Sequence, residues 1–334
     1  MNHLLALVPN WVGDVAMCTP ALRALSHRFP EAELTVAGRA SACALLEGLP
    51  YIHRAIQLDA RPSAWGMLRA ARALRPYARD LAVIFPHSSR AAILARLAGA
   101  RRRVGYDREG RAWLFTDAVA PHKINGKIEP IYMASEYVDL LAPLECHDDG
   151  EGLELAASAD ALAQIDPHLD GHGPLVGIAP GAAFGPSKLW PAERYAAVAD
   201  TLAEKAGARC VLLTGPGEEA TRDAVIRHAK RPLLQYDEGS PSIAKLKAAI
   251  SRLDLLVCND SGTRHIAVAF RVPVVCIMGP TSPKYSCGPY EKGEVLRVDV
   301  DCGPCQKPVC TTDHRCMTRI TTEWVASTAM QYLA

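Results

Sequence analysis

Three stretches of the 334-residue sequence place charged and small residues where an apolar run gives way to a helical pattern, and a fourth gathers cysteines. In the first, VPNWVGDVAMCTPALRAL (8–25), Pro9 and a short loop lead to Gly13 and Asp14. An aspartate there has two readings. Its oxygen can accept amide hydrogen bonds as an N-cap, and a helix start tolerates its charge. The same surroundings keep it ionised, as a general base acting on a hydroxyl must be.

The second stretch, PGAAFGPSKLWP (180–191), follows a strand with glycines and small residues, so backbone amides can approach an anion, and Lys188 adds a mobile positive charge. Lys188 alone would read as a surface lysine; Gly181, Gly185, Lys188 and Trp190 together are more specific. The third stretch, NDSGTRHIA (259–267), again reads strand, turn, helix. Asp260 and Ser261 stand near the cap, Gly262 at close approach and His265 in the first helical turn. Amides of Ser261, Gly262 and Thr263 suit a pyrophosphate, with His265 as a further donor. Taken alone, His265 reads as an ordinary core or surface histidine.

The fourth stretch, CGPCQKPVCTTDHRCM (302–317), contains Cys302, Cys305, Cys310, Cys316 and His314. Its C-x2-C opening suits structural zinc or an iron–sulfur cluster. The C-x5-C that follows departs from a zinc ribbon's matched knuckles, so reduced or partly paired thiols stabilising a loop are the other reading. Nothing in the sequence links these thiols to a base, which argues against catalysis by them.

Short apolar strands alternating with amphipathic helices must position these turns. In the first half the strands fall at 3–8, 34–37, 55–58 and 81–85; in the second at 175–179, 210–214, 253–259 and 272–279. Such alternation predicts parallel sheets covered on both faces. A polar, Gly-, Asp- and His-rich stretch divides the halves. The expected architecture is α/β: a first doubly wound domain over 1–150, a linker over 151–174 and a second domain over 175–321. The final helix, 322–334, is expected to return to the first domain.

Neither half carries G-x-G-x-x-G after its first strand, and G-x-x-x-x-G-K-[ST] is absent, which disfavours a dinucleotide oxidoreductase and a P-loop kinase. With 49% hydrophobic residues, 22% charged and a net charge of +1, the chain is globular in composition and gives no nucleic-acid signal. Residues 61–111 nevertheless hold twelve Arg and no Lys against Asp80, Asp107 and Glu109. That is either a set of solvated helix faces or a surface for an anionic partner. Its densest piece is GARRRVGY (99–106). The apolar start is shorter than a secretory signal, and no run approaches the length of a spanning helix. A cytoplasmic protein, touching a membrane at most peripherally, is expected, with its eleven Cys mostly reduced.

With these sites in place the chain resembles glycosyltransferase family 9, the ADP-heptose:lipopolysaccharide heptosyltransferases, and within it the branch that adds the second heptose. The likeness is carried by PNWVGDVAMCTPALRAL, PGAAFGPSKLWP and NDSGTRHIAVAFRVPVVCIMGPTSP in that order. It implies a GT-B fold, two Rossmann-like domains facing across a cleft, with acceptor bound by the first and ADP-sugar by the second. It puts the general base on Asp14, with Asn10, Trp11 and Gly13 on the acceptor side. Donor phosphate falls to Lys188, and ADP to Gly181, Asp260, Ser261, Gly262 and His265. An acidic residue near the adenosine ribose is expected at Glu218, with Glu219 the adjacent alternative. Ala183 and Phe184 stand where some relatives have hydroxyl residues, which shifts donor contacts to backbone amides. The implied reaction inverts the anomeric centre of ADP-heptose and requires no cofactor or metal. The implied acceptor is Kdo-lipid A bearing the inner core, met at the cytoplasmic face of the inner membrane. Competing readings are a sugar-nucleotide epimerase or hydrolase of the same fold, a transferase with another sugar or acceptor, and a metal or redox protein built on Cys302 to Cys316.

Overall fold

The computed structural model describes residues 1–59, 63–237 and 241–333. The chain divides into two compact units: Met1–Ala156 with Lys284–Gly288, and Ala157–Pro283 with the residues from Pro289 onward.

In the first unit β1 (His3–Leu7) leads through α1 (Val12–Met17) and α2 (Thr19–Arg28) to β2 (Glu33–Gly38), and α3 (Ala40–Leu46) leads to β3 (Arg54–Gln57). The chain then runs through α4 (Ala64–Leu74), β4 (Leu81–Ile84), α5 (Ser89–Leu97), β5 (Arg102–Tyr106) and β6 (Asp117–Val119). A small hairpin, β7 (Lys123–Ile124) and β8 (Lys127–Ile128), and α6 (Met133–Asp139) complete it. Six strands pair in parallel in the order β3-β2-β1-β4-β5-β6. The central strands, LLAL in β1 and LAVI in β4, are buried throughout, as a sheet covered on both faces requires. One covering layer is α4, α5 and the 3-10 turn Ala112–Leu114, whose Ala71, Leu74, Ala92, Ala95 and Leu114 meet Leu5, Leu7 and Ile84 of the sheet.

The second unit repeats the design. It begins with α7 (Ala159–Leu169), β9 (Leu175–Ala179), α8 (Ala192–Ala206), β10 (Arg209–Leu212), α9 (Glu219–His228) and β11 (Leu234–Gln235). It continues with α10 (Ile243–Ser251), β12 (Leu255–Asn259), α11 (Gly262–Ala269) and β13 (Val274–Ile277). After the short α12 (Pro283–Ser286), whose residues from Lys284 on belong to the first unit, come β14 (Gly293–Leu296), α13 (Arg315–Thr318) and α14 (Thr322–Gln331). Its parallel sheet has the order β11-β10-β9-β12-β13-β14.

Three expectations are corrected here. The stretch read as a linker over 151–174 contains α7, capped by Ser158, whose hydroxyl accepts from the Ala161 amide. The last helix does not return to the first domain. Val325, Ala326 and Ala329 of α14 are buried with Tyr195 and Val198 of α8, and Trp190 donates to the Ile320 carbonyl just before it, all within the second unit. Within GARRRVGY, Arg102–Tyr106 forms β5 instead of a helix face. Arg102 is paired with Asp117 of β6, and Arg103 donates to the carbonyls of Ala100 and Leu114. Charge masked this strand from a search for apolar runs.

Candidate active site

In both sheets the strand order reverses beside the first strand, between β1 and β4 and between β9 and β12. Loops leaving the carboxyl ends of strands at such a reversal splay apart and leave room for a ligand. All three turns singled out in the sequence leave strands that flank one of these two points.

In the second unit the loops after β9 and β12 are pinned together by Asn259, a fully buried residue at the end of β12. Its Nδ2 donates to the Pro180 carbonyl at 2.6 Å, and its Oδ1 accepts from the Tyr195 hydroxyl at 2.8 Å. Lys188, on the 3-10 turn Pro186–Lys188, then reaches across. Its Nζ donates to the Asp260 carbonyl at 2.8 Å and to Asp260 Oδ2 at 2.7 Å. Thr281 donates to the same Oδ2 at 2.7 Å, and Arg264 donates to Oδ1 at 3.0 Å. Arg264 is itself fully buried and forked onto Glu291, with both contacts at 2.6 Å. Burial pushes the Asp260 carboxyl up, but the charges of Lys188 and Arg264 outweigh it and hold it well below the usual carboxylate range. Asp260 is thus fully engaged in positioning cations. Two N–H groups of Lys188 are used on it, and the third is the one an incoming phosphate oxygen can take.

Beside this pair α11 begins. Ser261 is its N-cap but makes no side-chain cap bond, and its Oγ is buried without a hydrogen-bond partner. A helix start of this kind presents orphan amides, here those of Gly262 and Thr263, to an anion. His265 lies in the first turn and is buried. Burial first, and then the Arg264 charge, push its imidazole down to about 3. Its imidazole is therefore neutral at physiological pH.

Glu218 is brought to the same region by the loop after β10. It accepts from the Gly215 amide at 2.8 Å, and burial raises its carboxyl. Its carboxylate lies directly on Gly181, where a Cβ would fall 2.0 Å from Oε1. The space that Gly181 opens is therefore filled by a side-chain carboxylate. Glu219 starts α9 exposed to solvent, which separates the two adjacent candidates.

Cys302, Cys305, Cys310, Cys316 and His314 line a cavity of about 160 Å³. All eleven cysteines are free thiols, and among the described residues no three His, Cys, Asp or Glu side chains are grouped to hold a metal ion. The block buttresses the lysine turn. Ser187 donates from its amide to the Pro308 carbonyl at 3.1 Å and from its hydroxyl to the Lys307 carbonyl at 2.6 Å. The His314 ring bonds the Ser187 carbonyl at 2.7 Å. Gly185 enters that turn with φ +149°, and a Cβ there would strike the Pro308 carbonyl at 2.4 Å, so only glycine fits.

In the first unit Asp14 is the third residue of α1, and Trp11, not Asp14, occupies the N-cap. The cap reading is corrected accordingly. Asp14 is half-buried beside the buried Cys18 and Tyr137; burial and then its charge push that thiol and that phenol up. Trp11 is exposed and Gly13 buried within α1. Asn10 lines a cavity of about 550 Å³ formed at the carboxyl ends of β1 to β4 under α4 and α5. Its walls are mainly apolar, with Arg39, Arg69, Arg90 and Asp59 as the charged groups. Sequence reasoning missed this cavity, and in the second unit it missed Arg264, Thr281, Glu291, Asn259 and Tyr195. Only Arg264 left a local trace, four residues after Asp260 on one helical face.

Among curated proteins, the chain is 29% identical over 314 residues to lipooligosaccharide heptosyltransferase 2 of Haemophilus ducreyi, covering 88% of both chains. It is 28% identical over 316 residues to lipopolysaccharide heptosyltransferase 2 of Escherichia coli, again covering 88% of both. Its fold matches a family 9 glycosyl transferase from Veillonella parvula at a TM-score of 0.86, with 23% identity over 99% of this chain and 97% of that one. It matches E. coli ADP-heptose lps heptosyltransferase II at a TM-score of 0.81, with 24% identity over 99% and 98%. Residues 67–315 match the sequence model of glycosyltransferase family 9 (heptosyltransferase), and the chain belongs to that family.

Proposed function

We propose that this enzyme transfers L-glycero-D-manno-heptose from ADP-heptose to the first heptose of the lipopolysaccharide inner core, with inversion at the anomeric carbon. The observation that carries the donor side is the Lys188–Asp260 pair at the β9/β12 reversal, set against the first turn of α11. A pyrophosphate placed there meets the Lys188 ammonium, the Gly262 and Thr263 amides and the Ser261 hydroxyl. Charge grows on the leaving ADP as the glycosidic bond breaks, and fixed donors of this kind stabilise it. His265, being neutral, adds a hydrogen bond without adding charge. Glu218 accepts from an adenosine ribose hydroxyl.

The first unit supplies Asp14, which takes the proton from the acceptor hydroxyl as that oxygen attacks. The cavity beside Asn10 receives the acceptor's inner-core sugars, and Arg39, Arg69 and Arg90 meet its anionic groups. No metal ion is required, since protein donors meet the pyrophosphate charge. EDTA is expected to leave the rate unchanged; inhibition reversed by Mg²⁺ would contradict this. The deciding experiment offers a panel of ADP- and other nucleotide-sugars with core-lipid acceptors truncated at successive sugars, and determines the product linkage. Transfer of α-linked heptose from ADP-heptose to a one-heptose core is expected. Transfer to a different acceptor, or preference for another donor, would overturn the assignment.

A further inference from the structure

Of the twelve Arg between residues 61 and 111, Arg61 lies outside the described residues and four serve the fold. Arg102 and Arg103 are tied within β5 as described, Arg108 pairs with the buried Glu136, and Arg111 is buried with Nε donating to the Tyr106 carbonyl. The remaining seven are exposed, and most belong to α4, α5 or their immediate ends.

These two helices bury one stripe and expose another. On α4 the buried Ala71 and Leu74 face the sheet, which leaves Trp65, Leu68, Arg72 and Arg75 outward at helical spacing. On α5 the buried Ala92 and Ala95 face inward and leave Ile93, Arg96 and Leu97 outward. The adjoining 3-10 turn adds Trp113, with the Arg96 guanidinium 5.9 Å from its ring centre. Trp65 is 72% exposed and Trp113 67%, unusual for a residue type that is highly buried on average. Neither helix contains an acidic residue.

We propose that this outward face of α4, α5 and the Ala112–Leu114 turn is the surface on which the protein lies against an anionic bilayer. Aromatic and aliphatic side chains at their exposed positions reach the headgroup–acyl boundary, while arginines among them pair with lipid phosphates. The absence of any carboxylate on the two helices removes the repulsion such a surface would otherwise meet. Arg69 and Arg90 rise from the same two helices but line the cavity, whereas Arg72, Arg75 and Arg96 do not, so the docking variants are confined to those three. The inference rests on the lipid-linked acceptor of the proposed reaction only for its purpose; its measurement needs no catalysis.

The test is co-sedimentation of the full-length protein with vesicles of phosphatidylglycerol and phosphatidylcholine in equal parts, against vesicles of phosphatidylcholine alone. Binding is expected to the first and not to the second. Two variants are made, Trp65→Ser/Leu68→Ser/Trp113→Ser and Arg72→Gln/Arg75→Gln/Arg96→Gln, with unchanged melting temperature as the folding check. At about 1 kcal/mol per arginine, the second should lower vesicle affinity about a hundredfold. Both should keep wild-type transfer to a deacylated, water-soluble acceptor while losing transfer to the same acceptor anchored in vesicles. Wild-type protein that ignores anionic vesicles, or variants that bind them as well as wild type, would overturn the proposal. So would equal loss of transfer to the soluble acceptor. If heptosyl transfer is absent but vesicle binding behaves as stated, only the reaction assignment falls.

Discussion

The two sheets share one strand order and place their reversal at the same point, yet what fills that point differs. At β9/β12 it is crowded with charge: Asp260 is held by Lys188, Arg264 and Thr281, and Arg264 by Glu291. At β1/β4 it opens into a cavity with mainly apolar walls and arginines, with Asp14 on the first helix. The pre-tied cations at β9/β12 suit a ligand whose charge is fixed and compact, such as a pyrophosphate. The cavity of about 550 Å³ at β1/β4, with its mainly apolar walls, suits a larger ligand. One topology thereby carries two different sites, and under the proposed function substitutions on the two sides should fail differently.

The sharpest separation is Asp14→Asn. Losing a general base should lower kcat by about a hundred- to ten-thousand-fold. Its carboxamide is nearly isosteric, so ADP affinity measured by calorimetry should stay within experimental error of wild type. Retained turnover would remove the proposed base and leave the first unit with binding alone. Lys188→Ala should show the converse on the other side. It deletes a donor to the developing phosphate charge, at a cost of about a hundredfold in kcat, and it weakens ADP binding as well. Unchanged ADP affinity would detach Lys188 from the donor phosphate.

Much of this contrast was legible in the sequence, because each turn follows a strand of Leu, Val and Ile whose pattern survives any tertiary setting. The strands at 3–8, 81–85, 175–179 and 253–259 match β1, β4, β9 and β12 closely. What escaped were elements whose composition serves a partner far away in sequence. Strand β5 reads as a charge run because Arg102 answers Asp117 and Arg103 answers backbone carbonyls. Asn259 looks like a turn residue until the Tyr195 hydroxyl and the Pro180 carbonyl are seen on either side of its amide. Gly181 looked like space for an anion's approach, and only the fold shows Glu218 occupying that space. The fate of the Cys block likewise depends on contacts to Ser187 more than a hundred residues earlier.

A smaller effect tests the Gly181–Glu218 contact. In Gly181→Ala the new Cβ displaces the flexible end of Glu218 more easily than it moves the backbone, breaking the bond from the Gly215 amide. Loss of one charge-assisted contact to the donor corresponds to about a tenfold rise in the donor's Kd. Glu218→Ala should do the same, and the double variant should be no worse than either single one, since both remove one interaction. Additive losses would show that Gly181 acts through its own backbone, as an anion-facing loop would.

The least dramatic consequence concerns pH. An imidazole pushed down to about 3 in the folded protein, against about 6.5 in the unfolded chain, takes up its proton only on unfolding across that interval. The unfolded state binds more protons there, so stability is full above about pH 6.5 and falls as pH drops toward 3. The slope below pH 6.5 should approach about 1.4 kcal/mol per pH unit from this residue alone. Asp260 adds a loss of the same sign, but only once the pH nears the ordinary carboxylate range, because its unfolded form titrates there. The raised Glu218 carboxyl contributes with the opposite sign. His265 is therefore isolated by comparing wild type with His265→Phe in denaturant unfolding at pH 7.5 and 5.5. The variant should lose the destabilisation at pH 5.5 that the histidine causes. Over the same interval wild-type ADP affinity should show no histidine-like step from this site, since the imidazole is neutral at both ends. A step that disappears in His265→Phe would mean that the residue meets the donor as a cation, and the charge at β9/β12 would then have to be assigned to Lys188 and His265 together.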